Sequence, residues 1–356
     1  MSSNNNNNNN GGKATTHGES DVYDRQIRLW GAEAQNKIRN TKVLYVNVSG
    51  VSSEIIKNLV LAGVHASICD GRPFPDAISE TPCSFLPTSN TTTTTVAEAI
   101  QPHVMELNPL LDTCDIQTEM DISSIPDDYF QQYDIVIVSG AIRLQQQNTS
   151  SVLRQEDLLR ISHLVTSNNN NGKFMLVDTF GMYGCALLDL GPTHQYRKEQ
   201  GKDKLSNVTS IHPYVSFSQM MKFTMEQKNL KQMTDRWHKN GPPKVLTMYL
   251  VLLHYSNHPP LKEEGQSEKD YFCQVIQEYL VSSGLDANYL GDDEDYSHFY
   301  QMASSELSPI CAVLGGVMGN EVIKAISGKG EPANNTLLFD GTDGGCRAFV
   351  LQPPSS

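Results

Sequence analysis

Residues 23–70 read YDRQIRLWGAEAQNKIRNTKVLYVNVSGVSSEIIKNLVLAGVHASICD, and the second half of this stretch decides the fold. Val43 to Val48 is a short apolar, β-branched run, too short for a free-standing helix and suited to a strand buried on both faces. After a turn at Ser49-Gly50, Ile55, Ile56, Leu59, Val60 and Val64 recur at helical spacing. Ser52 and Ser53 are candidate N-caps, with Glu54 placed against the positive end of the helix dipole. Gly63 ends this helix, and Ala66 to Cys69 forms a second strand finishing at Asp70. The pattern is a β-α-β unit.

Such a unit normally carries a glycine-rich turn, so that backbone N–H groups and the helix N-terminus can approach a phosphate. Aligned on G-x-G-x-x-G, the turn supplies Asn47, Gly50 and Ser52, and only the middle glycine survives. Side chains at 47 and 52 would crowd a bound nucleotide. Asp70, 20 residues beyond Gly50, keeps the place of a ribose-binding acid. These residues point to a β-α-β unit that no longer binds nucleotide, with Asp70 vestigial.

Upstream, YDRQIRLWG and the amphipathic helical stretch that follows are more specific than the turn. They resemble the motif that opens the non-catalytic half of the ubiquitin-activating-enzyme superfamily. The resemblance implies an α/β Rossmann-like adenylation fold of the ThiF/MoeB type, with a largely parallel sheet and a helical insertion. In that family the motif helix lies against the partner half and its arginine reaches the partner's ATP site; by position that arginine is Arg25, with Arg28 second. Without the resemblance, the plain reading of Arg25 is an ion pair with Asp24 or Glu33 on a helix face.

The 356 residues suffice for one large α/β domain with insertions, or for two domains. The 27 basic and 40 acidic residues give a net charge of −13, which disfavours non-specific binding to nucleic acid or anionic membranes. No apolar run approaches the roughly 18 residues needed to span a bilayer, so a soluble, intracellular chain is expected. The seven cysteines (69, 83, 114, 185, 273, 311 and 346) are scattered without any C-x-x-C, and neither a zinc site nor a disulfide framework is indicated. They are read as structural. His194, His212 and His238 are isolated and polar-flanked, and are read as solvated.

Residues 1–20 form a low-complexity polar tail without an apolar core and are expected to be disordered. The main domain is expected over 21–190, a helical insertion over 191–300, and a C-terminal helix and strand completing the domain over 301–352. Ser89 to Thr95 and Ser167 to Asn171 read as surface loops. Helices are expected at Val96 to Leu107, Leu153 to Val165, Gln219 to Lys239, Lys244 to Tyr255, Asp270 to Ser282 and Ser308 to Lys324. Strands are expected at Tyr133 to Val138 and Phe174 to Asp178, with a fifth beginning after Gly181-Met182-Tyr183, and a final one at Leu337 to Gly341. The segment 191–300 reads as polar and Lys-rich.

The family resemblance returns in PICAVLGG, EVIKA and FDG near the C-terminus. In catalytic members an Asn-x-x-Arg-Gln type motif grips the ATP phosphates; the corresponding TPCSFLPTSNTTTTT has no arginine. Where those members carry a magnesium-binding aspartate, this chain runs Ser139-Gly140-Ala141-Ile142, and where they carry the thioester cysteine, Gly191 to Gly241 has none. Asp178 lies at a strand end, where α/β ligand sites form, but no phosphate-binding turn adjoins it, so its expected role is structural. The implied role is the non-catalytic subunit of a heterodimer that activates a small ubiquitin-like modifier. That modifier is expected to be of SUMO type, with NEDD8 as the alternative. ATP and magnesium are expected in the catalytic partner subunit, with no cofactor or metal on this chain, and the complex is expected in the nucleus or shared between nucleus and cytoplasm. A nicotinamide-dependent oxidoreductase and a pure scaffold are the readings from other classes.

Overall fold

A computed structural model describes residues 22–74, 85, 95–142, 153–167, 171–198, 205–225, 243–257, 266–303 and 305–351. The N-terminal tail, most of the two polar tracts, Cys83, His238 and the helix expected beyond residue 225 lie outside the described residues.

Eight strands form one sheet in the order β10-β9-β6-β5-β4-β1-β2-β3. The strands are β1 (Lys42–Val46), β2 (His65–Cys69), β3 (Asp115–Gln117), β4 (Ile135–Val138), β5 (Lys173–Phe180), β6 (Tyr183–Asp189), β9 (Thr336–Asp340) and β10 (Gly345–Phe349). β7 (Gln195–Tyr196) and β8 (Thr209–Ser210) make a separate ribbon. The five strands from β3 to β5 pair in parallel, whereas β6, β9 and β10 pair antiparallel. This is a Rossmann-like α/β sheet extended on one side by a three-strand antiparallel edge.

The helices are α1 (Asp24–Trp30), α2 (Ala32–Asn40), α3 (Gly50–Leu61), α4 (Val96–Leu107), α5 (Asp127–Gln131), α6 (Gln155–Thr166), α7 (Phe217–Met225), α8 (Lys244–Asn257), α9 (Glu268–Ser282), α10 (Asp293–Ala303) and α11 (Ser308–Ser327). Alternation along β1 shows how they cover both faces of the sheet. Val43 and Tyr45 join a core with α2, α3, α4 and α11, while Leu44 and Val46 join a second core with α5 to α10. The segment read as polar therefore contains α8, in which Val245 to Leu253 are all buried, and Tyr249 packs in the same core as Phe174 and Phe180.

Several expectations are corrected. Ser49, not Ser52 or Ser53, caps α3, because Ser49 Oγ accepts the Ser52 N–H while Ser52 Oγ accepts the Ser49 N–H. β1 ends at Val46, since Asn47 turns the chain with φ 55°, a left-handed conformation that asparagine tolerates better than most residues. The helical stretch expected after YDRQIRLWG is α2, and the motif itself forms a separate helix, α1, broken from it at Gly31 (φ 85°). β10 follows the strand expected to be last. The 20-residue α11 is long and apolar enough to cross a membrane by length and composition, contrary to the sequence reading, but half of it is buried and it packs along α3.

Candidate functional site

In open α/β sheets the ligand crevice lies beyond the carboxyl ends of the parallel strands. Here that place is filled by the protein's own side chains. Asp70, at the end of β2, is completely buried. Its Oδ2 accepts the Val48 N–H at 2.7 Å and Arg72 Nη2 at 2.6 Å, and its Oδ1 accepts Arg72 Nε at 2.9 Å and the Arg72 N–H at 3.2 Å. Arg72 Nη2 also donates to Val48 O at 2.7 Å, so one guanidinium joins the end of β2 to the turn after β1.

At the N-terminus of α3, where a phosphate would be expected, sits the carboxylate of Glu306. It accepts the Gly50 N–H at 2.9 Å and Thr179 Oγ1 at 3.1 Å, and the Val51 N–H donates to it as well. The Gly181 N–H donates to Ser305 O at 2.7 Å and holds the backbone beside Glu306 against the end of β5. Burial pushes the Glu306 carboxyl above its ordinary pKa despite these donors and the nearby Arg72. Neither Arg72 nor Glu306 was among the candidate residues read from the sequence. Arg72 lies ahead of the arginine-free stretch 81–95, and no local signal ties Glu306 to a turn 256 residues away.

The rest of the degenerate turn is closed in the same way. Asn47 and Ser52 are buried, and Ser139 Oγ donates to Asn47 O and Ser52 Oγ, each at 3.0 Å. Asp178 is buried at the end of β5, its Oδ1 accepting the N–H groups of Gly140 (2.5 Å) and Ala141 (3.2 Å), its Oδ2 facing the Tyr249 hydroxyl at 3.0 Å. Burial outweighs these bonds and pushes its pKa up to about 8. Asp178 thus ties the turn after β4 to α8.

The second candidate region is α1. Arg25 is exposed, and among the described residues it has no ion-pair partner. Both acids considered for it are taken: Asp24 pairs with Arg28 (Nη2 to Oδ2 2.9 Å), and Glu33 with Lys37 (3.0 Å). Arg28 is therefore the occupied arginine and Arg25 the available one. Leu29, on the same helix, is 76% exposed.

His194 is not solvated, as the sequence suggested. It is buried beside Lys173, its Nε2 has no partner among the described residues, and its pKa is pushed down to about 4 by burial and then by that lysine. Burial likewise raises the thiols of Cys114 and Cys311 to about 12 and those of Cys69 and Cys185 further, which makes them poor nucleophiles. No three His, Cys, Asp or Glu gather as a metal site among the described residues.

A nucleotide-type sheet with a blocked crevice, preceded by a helix presenting an arginine, is a variant of an adenylating frame, and the chain belongs to the ThiF family, whose model matches residues 23–355. It is 31% identical over 348 residues to SUMO-activating enzyme subunit 1 of Xenopus tropicalis, covering 91% of this chain and 93% of that one. It is 30% identical over 358 residues to the human protein of the same name, covering 94% and 96%. Among solved structures, the crystal structure of SeMet PaaA superimposes with a TM-score of 0.55 at 10% identity, covering 97% of this chain and 77% of that one, a likeness of fold alone.

Proposed function

We propose that this chain is the non-catalytic subunit of a heterodimeric SUMO-activating enzyme and places Arg25 in the ATP site of its catalytic partner. The observation that carries this reading is the exposed Arg25, which has no ion-pair partner among the described residues while its neighbouring acids pair elsewhere. ThiF membership and relatives named SUMO-activating enzyme subunit 1 support it, and favour SUMO over NEDD8 as the modifier. In the proposed reaction, a carboxylate oxygen of the modifier's C-terminus attacks the α-phosphorus of ATP bound with magnesium in the partner. The bond to pyrophosphate breaks and an acyl adenylate forms. A thiolate of the partner then displaces AMP to give a thioester. A fixed guanidinium contributes by stabilising charge that develops on the phosphates.

This chain alone is inactive and binds no nucleotide in this reading. Arg72 saturates the acid that would hold a ribose, and Glu306 occupies the donors that would hold a phosphate. The same occupancy of Asp70 weighs against a nicotinamide-dependent oxidoreductase. The complex acts in the nucleus, or in nucleus and cytoplasm, and engages neither nucleic acid nor membrane. The test is ATP–pyrophosphate exchange by the reconstituted heterodimer. Arg25→Ala slows it by roughly 10²- to 10³-fold, on the scale of losing one preorganised charge contact, while the heterodimer still co-elutes. Arg25→Lys recovers part of the rate, since lysine offers a point charge without the planar fork. A wild-type rate from Arg25→Ala reduces the chain to a scaffold.

A further inference from the structure

The helix that presents Arg25 has little to hold it. α1 is seven residues long and none of them is buried. Trp30 packs half-buried against the core, and most of the polar attachments of α1 reach one place, the C-terminal end of α3. Tyr23, buried at the head of α1, accepts Asn108 Nδ2 at 2.8 Å, and the same Nδ2 donates to Val60 O at 2.8 Å. Gln26 Nε2 donates to Leu61 O at 3.3 Å. Trp30 Nε1 donates to Gln35 Oε1 at 2.8 Å, and Gln35 Nε2 passes the link to Ala62 O at 2.8 Å.

Lys329 provides a separate attachment. Its ammonium donates to Trp30 O, at the carbonyl end of α1, from the turn that follows α11, 299 residues away. The last carbonyls of a helix lack helical donors and carry the negative end of its dipole, so a cation is favourable there. The turn presenting Lys329 is fixed by its own backbone. Gly328 (φ 68°) closes α11 with its N–H on Lys324 O at 2.9 Å, and the Lys329 N–H donates to Ser327 Oγ at 3.2 Å. Arg197 N–H donates to Gly328 O and Gly330 N–H to Arg197 O, both at 2.9 Å. A rigid loop thus holds a flexible side chain's charge against the backbone carbonyl at the C-terminal end of α1, an end that α3 reaches only indirectly, through the Trp30 side chain and Gln35.

We propose that Lys329 is a positioning residue for Arg25: its ammonium fixes the C-terminal end of α1 and so the direction in which Arg25 points. This inference rests on the trans role of Arg25. With the Tyr23 end anchored, loss of Lys329 frees the Trp30 end: at ~1.5 Å per residue, a swing of about 10° about Tyr23 moves the Trp30 backbone by about 1.8 Å and the Arg25 backbone by about 0.5 Å, and the guanidinium, farther from the pivot, by more. A misplacement of ~1 Å can cost up to ~10²-fold in rate.

The test compares Lys329→Met, Lys329→Arg, Arg25→Ala and the double variant Lys329→Met/Arg25→Ala in the reconstituted heterodimer. Lys329→Met lowers kcat for pyrophosphate exchange about tenfold with KM for the modifier and co-elution unchanged, and Lys329→Arg restores most of the rate. In the Arg25→Ala background, Lys329→Met gives no further loss. In the free chain, hydrogen exchange of the Ile27 and Gly31 amides, which close the turns of α1, speeds up in Lys329→Met. A wild-type kcat from Lys329→Met beside a slow Arg25→Ala overturns this inference alone, as do multiplying losses in the double variant or unchanged amide exchange. A wild-type rate from Arg25→Ala overturns it together with the proposed function.

Discussion

Replacing Glu306 by alanine empties the N-terminus of α3 without touching the backbone that forms it. The carboxylate accepts the Gly50 N–H at 2.9 Å and Thr179 Oγ1 at 3.1 Å, besides the Val51 N–H. Hydrogen bonds to a charged group contribute about 1.5–3 kcal/mol each, and the burial that raises its pKa subtracts from their sum. A net loss of about 2–3 kcal/mol follows. At ~2.1 cal/mol/K of unfolding entropy per residue, 356 residues shift Tm by ~1.3 °C per kcal/mol, so Glu306→Ala should melt about 3–4 °C below wild type by scanning calorimetry. The emptied donors then face an external anion. Sulfate at ten times its Kd restores ~1.4 kcal/mol, roughly 2 °C, measured against chloride at matched ionic strength, and wild type shows no such difference. Glu306→Gln, which keeps an acceptor, loses less than Glu306→Ala. A Glu306→Ala protein that melts within 1 °C of wild type, with no response to sulfate, refutes the view that this carboxylate fills an anion place.

Other substitutions read separate parts of the structure. Asp178, raised to about 8 in the fold, stays protonated there while the unfolded carboxyl ionises near 3.8; stability therefore falls as pH rises from about 4 to 8 and levels off above. Asp178→Asn, whose amide can still meet the Gly140 N–H and Tyr249 hydroxyl, should flatten that slope in urea denaturation series across this range; an unchanged slope removes Asp178 as its source. In α11, a Cβ on Gly315 would lie 2.5 Å from Glu54 Cβ, whereas one on Gly316 meets nothing within 4 Å. Gly315→Ala should cost about 1–3 kcal/mol, and Gly316→Ala should stabilise the isolated chain by up to ~1 kcal/mol; equal effects in urea denaturation would contradict the close α3–α11 packing.

Elements with a local cause were legible in the sequence. Val96 to Leu107 is a helix over the expected span, opened by a Thr95/Glu98 capping box. β4, β5 and α8 follow their apolar runs. β3 was missed because Asp115–Gln117 is three half-polar residues made a strand only by pairing with β2. β10 was missed because Arg347 and Ala348 are exposed at the sheet edge and its alternation is weak. At the crevice, the missing glycines were visible, but the groups that fill their place were not. Glu306 reaches Gly50 from the far side of the helical segment, and such a pairing leaves no spacing pattern to read. For α1 the motif residues were visible, while the allocation of Asp24 to Arg28 and Glu33 to Lys37, which leaves Arg25 available, needed geometry.

β6 pairs along its outer side with β9, from Leu187 with Thr336 to Tyr183 with Asp340. About 150 residues separate the two strands, and during synthesis at ~5–20 residues per second β6 waits roughly 8–30 s for its partner. Over that interval it is an apolar edge strand with an unpaired ladder, and α3 lacks the cover of α11. The danger of misassembly on the ribosome is therefore concentrated after residue 189, and the sheet closes only once β9, from Thr336, has emerged.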